Sequence, residues 1–417
     1  MTMHILVQRQ RAQINKMNFN IVLEAGKERP IIRRHPWVYS SAIKRVEGKP
    51  KPGATVQILA HDGRWIAKAA YSPESKIRAR VWSWQESEAI DHAFFKRKIA
   101  KAIEYRRDWV KNTNAIRLIA GEADGLPGLI VDQYDQTIVC QFLSTGVELW
   151  RDAIIASLLE QTQCTLIVER SDAAVRSREG LQERTGILHG THSGELIAVH
   201  ENGVQYGIDV LGGHKTGFYI DQRDNRQMVS ELATNRRVLN MFCYTGGFSL
   251  AALKGGAKSV MSVDSSGDAL QLAQRQMSMN GFSEERASWH DADAFATLTT
   301  LRNAKEKFDL IVLDPPKFAP SVQHLERALR AYKEINRAAL QLLNPEGLLF
   351  TFSCSGAVSP ERFEETLASS VSEALGHMQD PSANYRIIRR LSAGLDHPVL
   401  ASFPEGEYLK GLLLQRL

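Results

Sequence analysis

The 417-residue chain is long enough for two or three domains, since a domain usually takes about 100–200 residues. Apolar residues at 43% and charged residues at 24% exclude a mostly disordered, collagenous or fibrous chain. The net charge of +5 conceals an asymmetry: residues 1–113 hold 23 Lys and Arg against 10 Asp and Glu, and the remainder 29 against 37. Clustered cations attract polyanions, so a basic attachment module joined to a larger body of different purpose is expected.

No apolar run reaches the roughly 20 residues that span a bilayer, and the opening MTMHILVQRQRAQINK lacks a signal-peptide core. A cytoplasmic protein with no membrane partner is expected. Residues 1–16 read as a loose extension ahead of NFNIVLEA, with Met1 and Met17 as alternative starts. Cys140, Cys164, Cys243 and Cys354 are far apart and form no CxxC, so neither a metal site nor a disulfide framework is expected.

From 18 to 92 the pattern is short strands broken by Gly and Pro: TVQILA, the turn Asp62-Gly63, RWIAKAAYS and KIRARVWSW. An Asp-Gly turn between alternating runs predicts a hairpin in a small β-rich domain. The segment 93–195 opens on a helix, DHAFFKRKIAKAIEYRRDWVKN, whose Phe94, Phe95, Ile99, Ile103 and Val110 share a face, with Lys96, Arg97, Lys98, Lys101, Arg106 and Arg107 mostly elsewhere. It continues as strand, strand, helix, strand, strand: IRLIAGEADGLPGLIVDQY, TIVCQFLS, VELWRDAIIASLLEQ, TLIVERS and GILHG. This predicts a small α+β unit.

From 196 to 417 a hairpin at Asn202-Gly203 leads into short Val/Ile/Leu runs alternating with amphipathic helices. That alternation predicts an α/β domain, Rossmann-like, with a mostly parallel sheet covered on both faces. The closing NYRIIRRLS and EYLKGLLLQRL are expected to add edge strands.

Ligands of such sheets bind beyond the carboxyl ends of the strands. After RVLNMF comes Cys243-Tyr244-Thr245-Gly246-Gly247-Phe248, whose glycines permit a tight turn at a helix N-terminus. It is not GxGxxG, so a carboxylate-bearing ligand is expected rather than a pyrophosphate. After KSVMSV, Asp264 is either an acceptor for a ribose diol or the cap of the next helix. After ASWH, one of Asp291 and Asp293 caps a helix and the other can accept from an adenine amino group; Asp293 is favoured for the adenine. After FDLIVL comes Asp314-Pro315-Pro316-Lys317, where two prolines stiffen the chain and Asp314 projects over the ligand.

These motifs, with ADAF and the later Ser353-Cys354-Ser355, resemble the class I S-adenosylmethionine-dependent methyltransferases. With RRHPWVYS, DGLPGLIVDQY and KTGFYIDQRDNR, nearly the whole chain resembles the bacterial three-domain family that methylates carbon 5 of a cytosine in 23S ribosomal RNA. The resemblance implies an N-terminal RNA-binding domain of the PUA type, S-adenosylmethionine as cofactor, and 23S rRNA or a large-subunit assembly intermediate as partner, with a homodimer left open. It implies Cys354 as nucleophile and Asp314 as its catalytic companion. Tyr219, Arg223, Tyr244, Thr245, Gly246, Asp264 and Asp293 are implied as cofactor-binding, and Pro315 and Lys317 as facing the base. Arg223 pairs with the cofactor carboxylate or forms a helix-entry salt bridge. Arg33, Arg34 and Lys44, with His35 and Trp37 interleaved, either hold RNA or coat a solvated face. Many RNA cytosine methyltransferases carry a second cysteine where Lys317 stands here. The rival functions are methylation of a base amino group, which needs no cysteine, and a non-catalytic rRNA-binding assembly factor.

Overall fold

The computed structural model describes residues 19–378 and 381–417, and all counts refer to these. The expected extension over 1–16 and the choice between Met1 and Met17 lie outside them. The described residues form two compact units, each assembled from separate stretches: 19–199 with 208–218 and 395–406, and 200–207 with 219–378, 381–394 and 407–417.

The first unit contains two sheets. Strands β1 (Asn20–Leu23), β2 (Trp37–Tyr39), β3 (Ile43–Glu47), β4 (Thr55–Leu59), β5 (Trp65–Tyr71) and β6 (Ile77–Ser83) form a sheet of order β2-β6-β5-β4-β1-β3. The expected β4–β5 hairpin turns at Gly63, whose φ of 86° suits glycine. Alternation along β4 buries Val56 and Ile58 in a core with Ile21, Ala67 and Val81.

Helix α1 (His92–Trp109) follows, capped by Asp91, whose Oδ1 accepts from the Phe94 N–H at 2.9 Å. Phe94, Phe95 and Ile99 are buried as expected. Arg106, expected off the apolar face, is only 1% exposed. Its guanidinium donates to both Asp124 carboxylate oxygens (2.6 and 2.9 Å) and to the carbonyls of Arg117 (2.9 Å) and Asp396 (3.0 Å). A buried charge persists only when paired and hydrogen-bonded to this extent.

The second sheet has order β11-β10-β9-β8-β7. It comprises β7 (Ala115–Ala120), β8 (Leu129–Tyr134), β9 (Thr137–Phe142), β10 (Leu166–Ser171) and β11 (Arg184–His189), with α2 (Arg151–Gln161) crossing from β9 to the parallel β10. The stretch 115–134 therefore supplies two strands where the sequence suggested one. Left-handed Gly121, Gly125 and Gly128 reverse the chain between them, so three strands precede the helix.

A hairpin of β12 (Ile197–Glu201) and β13 (Val204–Ile208) turns at Asn202-Gly203 as expected. The second unit then alternates α3 (Arg223–Leu232), β14 (Arg237–Met241), α4 (Gly247–Lys254), β15 (Ser259–Asp264), α5 (Gly267–Met279), β16 (Ala287–Asp291), α6 (Ala294–Asn303), β17 (Phe308–Leu313), α7 (Leu325–Leu342), β18 (Leu343–Ser353), α8 (Pro360–Gly376), β19 (Tyr385–Ser392) and β20 (Lys410–Arg416). The sheet order is β16-β15-β14-β17-β18-β20-β19, with β14 to β18 parallel and β20 antiparallel. Of the two expected edge strands only β19 is one; β20 lies between β18 and β19, which suits its buried Leu412, Leu413 and Leu414.

Leu239, Met241, Ile311 and Leu313 pack with Leu298 of α6, Tyr332 and Ile335 of α7, and Phe363 and Leu367 of α8. The intervening Asn240 points the other way and donates to Ser249 of α4 at 2.8 Å. Chain order reverses between β14 and β17, and the crevice of such a sheet opens at that point.

Candidate active site

The turn leaving β14 is strained. Phe242 (φ 60°) and Tyr244 (φ 49°) occupy the left-handed region, where each non-glycine residue costs about 1–3 kcal/mol unless its surroundings hold it. They are held. The Cys243 N–H donates to the Val263 carbonyl at 3.0 Å, and the Tyr244 N–H to Asp264 Oδ2 at 2.8 Å. Gly246 is also left-handed (φ 80°), and a Cβ there would lie 2.9 Å from the Trp289 ring and 3.0 Å from the Ala273 methyl, so space and backbone both require glycine. Thr245 is buried, its carbonyl accepting from Gln276 of α5 at 2.9 Å.

Asp264 ends β15 half-buried, and its Oδ1 accepts from the Ser266 N–H at 3.0 Å. The cap of α5 is Ser266, not Asp264. Asp264 is thus fixed by backbone donors, and a carboxylate with about four acceptor positions has capacity left for a diol. Asp293 is exposed and caps α6, accepting from the Ala296 N–H at 2.8 Å, so any adenine contact shares that carboxylate with the cap.

Beyond β17, Asp314 is half-buried, Pro315 buried, and Pro316 and Lys317 exposed. Cys354 follows β18, half-buried, with its Sγ 3.9 Å from the Pro315 carbonyl oxygen. The Tyr332 hydroxyl bonds Ser353 (3.0 Å) and Ser355 (3.2 Å), holding both neighbours of the cysteine. Tyr219 packs edge-on against Tyr244, ring centroids 5.4 Å apart. Burial, then the nearby Tyr244, Asp314 and Cys354, push its phenol well above the usual range. Tyr219, Tyr244, Asp314 and Cys354 therefore share one neighbourhood.

Arg223 opens α3, 3% exposed, with Nε 3.3 Å from Asp224 Oδ1, the helix-entry pair foreseen as its alternative role. Arg226 was not foreseen. It is buried, bidentate to Glu201 (2.7 and 2.8 Å), and donates to the Tyr219 carbonyl at 2.9 Å. Its partner lies 25 residues upstream, beyond any local pattern. Lys410, also missed because it reads as the polar end of an apolar strand, donates to the carbonyls of Ser355 (2.8 Å) and Val358 (2.7 Å).

In the first unit Arg33, Arg34 and Lys44 are exposed, with Arg45, Lys49 and Lys51. The interleaved aromatics are committed to packing: Trp37 donates to Glu122 at 2.8 Å and sits 4.6 Å from the Phe403 ring, while Tyr39 is the exposed ring of the group.

The family described as S-adenosylmethionine-dependent methyltransferase matches residues 183–383, and the PUA-like domain matches residues 21–84. Ribosomal RNA large subunit methyltransferase I of Shewanella denitrificans is 46% identical over 400 residues, covering 95% of this chain and 99% of the relative. The Tolumonas auensis protein of that name is 45% identical over 404 residues, 96% and 100% of the two chains. The chain belongs to this family. It is an S-adenosylmethionine-dependent methyltransferase with a PUA-like N-terminal domain. A solved structure from Streptococcus mutans, assigned as a SAM-dependent methyltransferase, shares the fold with a TM-score of 0.80 at 21% identity, over 96% of this chain and all of its own. Another, complexed with SAH, has a TM-score of 0.82 at 21% identity and the same coverage.

The donor set fits the cofactor: carboxylates at successive strand ends suit a ribose diol and a cationic sulfonium, and the β14–α4 turn opens on a helix N-terminus. Tyr244, Thr245 and Gly246 form that turn, and Asp264 accepts from its Tyr244 N–H. Among the described residues no helix is long and apolar enough to cross a membrane, and no group of three His, Cys, Asp or Glu is placed to hold a metal. The homodimer left open by the sequence finds no support in these comparisons.

Proposed function

We propose that the chain methylates carbon 5 of a cytosine in large-subunit ribosomal RNA through a transient bond to Cys354. Supporting this is the placement of a thiol beside the Asp314-Pro315-Pro316-Lys317 turn, at the end of the strand next to the one that bears Asp314. Carbon 5 of cytosine is too weak a nucleophile to be methylated directly. The Cys354 thiolate adds to carbon 6, forming an S–C bond and giving carbon 5 enamine character. Asp314, when protonated, supports the ring nitrogen that gains electron density. The bound cofactor supplies an electrophilic methyl group. Afterwards the carbon 5 proton leaves to a base and the S–C bond breaks, which restores the ring. Lys317 stands where many relatives in chemistry carry a second cysteine, so the proton goes to another group or to water.

The target base must be single-stranded or flipped out to meet Cys354. Exposed Arg33, Arg34 and Lys44 of the first unit suit RNA phosphates. The names of the relatives support ribosomal RNA as substrate. The rival is methylation of a base amino group, since Asp-Pro-Pro turns also serve that chemistry. The test is incubation with labelled S-adenosylmethionine and rRNA, followed by mass spectrometry of the modified nucleoside. The expected product is 5-methylcytosine, and an N-methylated base would overturn the reading.

A further inference from the structure

Lys410 is a buried cation that takes no part in the proposed steps. It opens β20 at 6% exposure, and two of its three N–H groups are fixed on the Ser355 and Val358 carbonyls. Those carbonyls bracket the turn that directly follows Cys354, closed by the Val358 N–H donating to the Ser355 carbonyl at 3.0 Å. Long lysine side chains normally carry their charge to water, and burial disfavours the ammonium. Here burial pulls Lys410 down to about 8, against the support of Cys354 and Glu407 and with the opposition of Lys317. Those three groups face it from the β18–α8 turn, the segment before β20 and the β17–α7 loop. A cation that a thiolate stabilises must stabilise that thiolate in return, because the interaction is mutual.

We propose that Lys410 is a positioning residue for Cys354, clamping the 354–358 turn through two carbonyls and supplying the positive charge that favours the thiolate. This rests on Cys354 being the nucleophile. The thiol proton passes to solvent, and Lys410 keeps its own while it acts. Above about pH 8 Lys410 loses its charge, so its contribution fades with rising pH.

The test is alkylation of Cys354 by iodoacetamide in the intact protein from pH 6 to 10, without cofactor or RNA, quantified on the Cys354 peptide by mass spectrometry. Lys410→Met should move the midpoint of the rate profile up by about one pH unit or more, and Lys410→Arg should keep it near wild type. Lys410→Met should lower kcat most below pH 8 and leave cofactor affinity unchanged. A profile scaled in height with the midpoint unmoved would show a purely structural role and overturn the proposal. Should Lys410→Met fail to fold, Lys410→Gln carries the same expectation. Methyl transfer surviving in Cys354→Ala would instead remove the nucleophile, and with it the purpose of Lys410, whereas an unmoved midpoint overturns Lys410 alone.

Discussion

The two units use the same charged residues to opposite ends. In the first, buried cations are closed into internal pairs: Arg80 with Glu179, Arg106 with Asp124, Arg176 with Glu148. Other cations of this unit, among them Arg33, Arg34 and Lys44, face outward. In the second, carboxylates, a thiol and a buried lysine are gathered where parallel strands end, and the neighbouring β14–α4 turn is held in a left-handed conformation by Asp264. Charge buried for architecture is paired inside the protein, while charge kept for chemistry is oriented by backbone groups and retains capacity for a ligand.

Four measurements would break or sharpen this contrast. Cys354→Ala should lower methyl incorporation by on the order of 10⁴-fold or more, as expected for removal of a nucleophile; activity within tenfold of wild type would put the thiol among architectural groups. Asp124→Asn in the first unit and Glu201→Gln in the second each leave a buried arginine without its counter-charge. Each should cost about 3–5 kcal/mol in urea denaturation. Asp124→Asn should leave cofactor affinity intact, whereas Glu201→Gln frees Arg226 beneath Tyr219 and should weaken it. Asp264→Asn, followed by calorimetric titration with S-adenosylhomocysteine, should reduce affinity about tenfold to a hundredfold, the scale of a hydrogen bond to a charged group. Single Ala replacements of Arg33, Arg34 or Lys44 should have the smallest effect, reducing the log-log salt slope of RNA binding by about one each; unaltered slopes would make this an ordinary solvated face.

Much of the second unit was legible because each buried parallel strand is a short Val/Ile/Leu run and each strand end carries a motif. RVLNM, SVMSVD and FDLIVL fall in register beside one another. In the sequence Asp264 reads either as ligand or as cap, and the placement of Ser266 over α5 removes the cap role. Arg106, Arg226 and Lys410 were illegible for a common reason. A cation in a helix or at a strand end reads as solvent-facing, and the groups that allow its burial lie far along the chain or in the backbone. Strands β7 and β8 merged in the sequence because the glycines between them signal a turn without saying that the chain reverses onto itself.

Residues 395–406 belong to the first unit although β19 and β20 of the second flank them on either side. The Arg106 guanidinium donates to the Asp396 carbonyl, the Asp396 carboxylate accepts from the Arg117 N–H at 3.0 Å, and Phe403 packs on Trp37. An N-terminal domain normally folds as it leaves the ribosome, at about 5–20 residues per second. This one must wait for nearly the whole chain to be synthesised before its last piece arrives. A nascent chain stalled short of residue 395 should therefore present a basic, incomplete N-terminal region, open to proteases in a way that the finished protein is not.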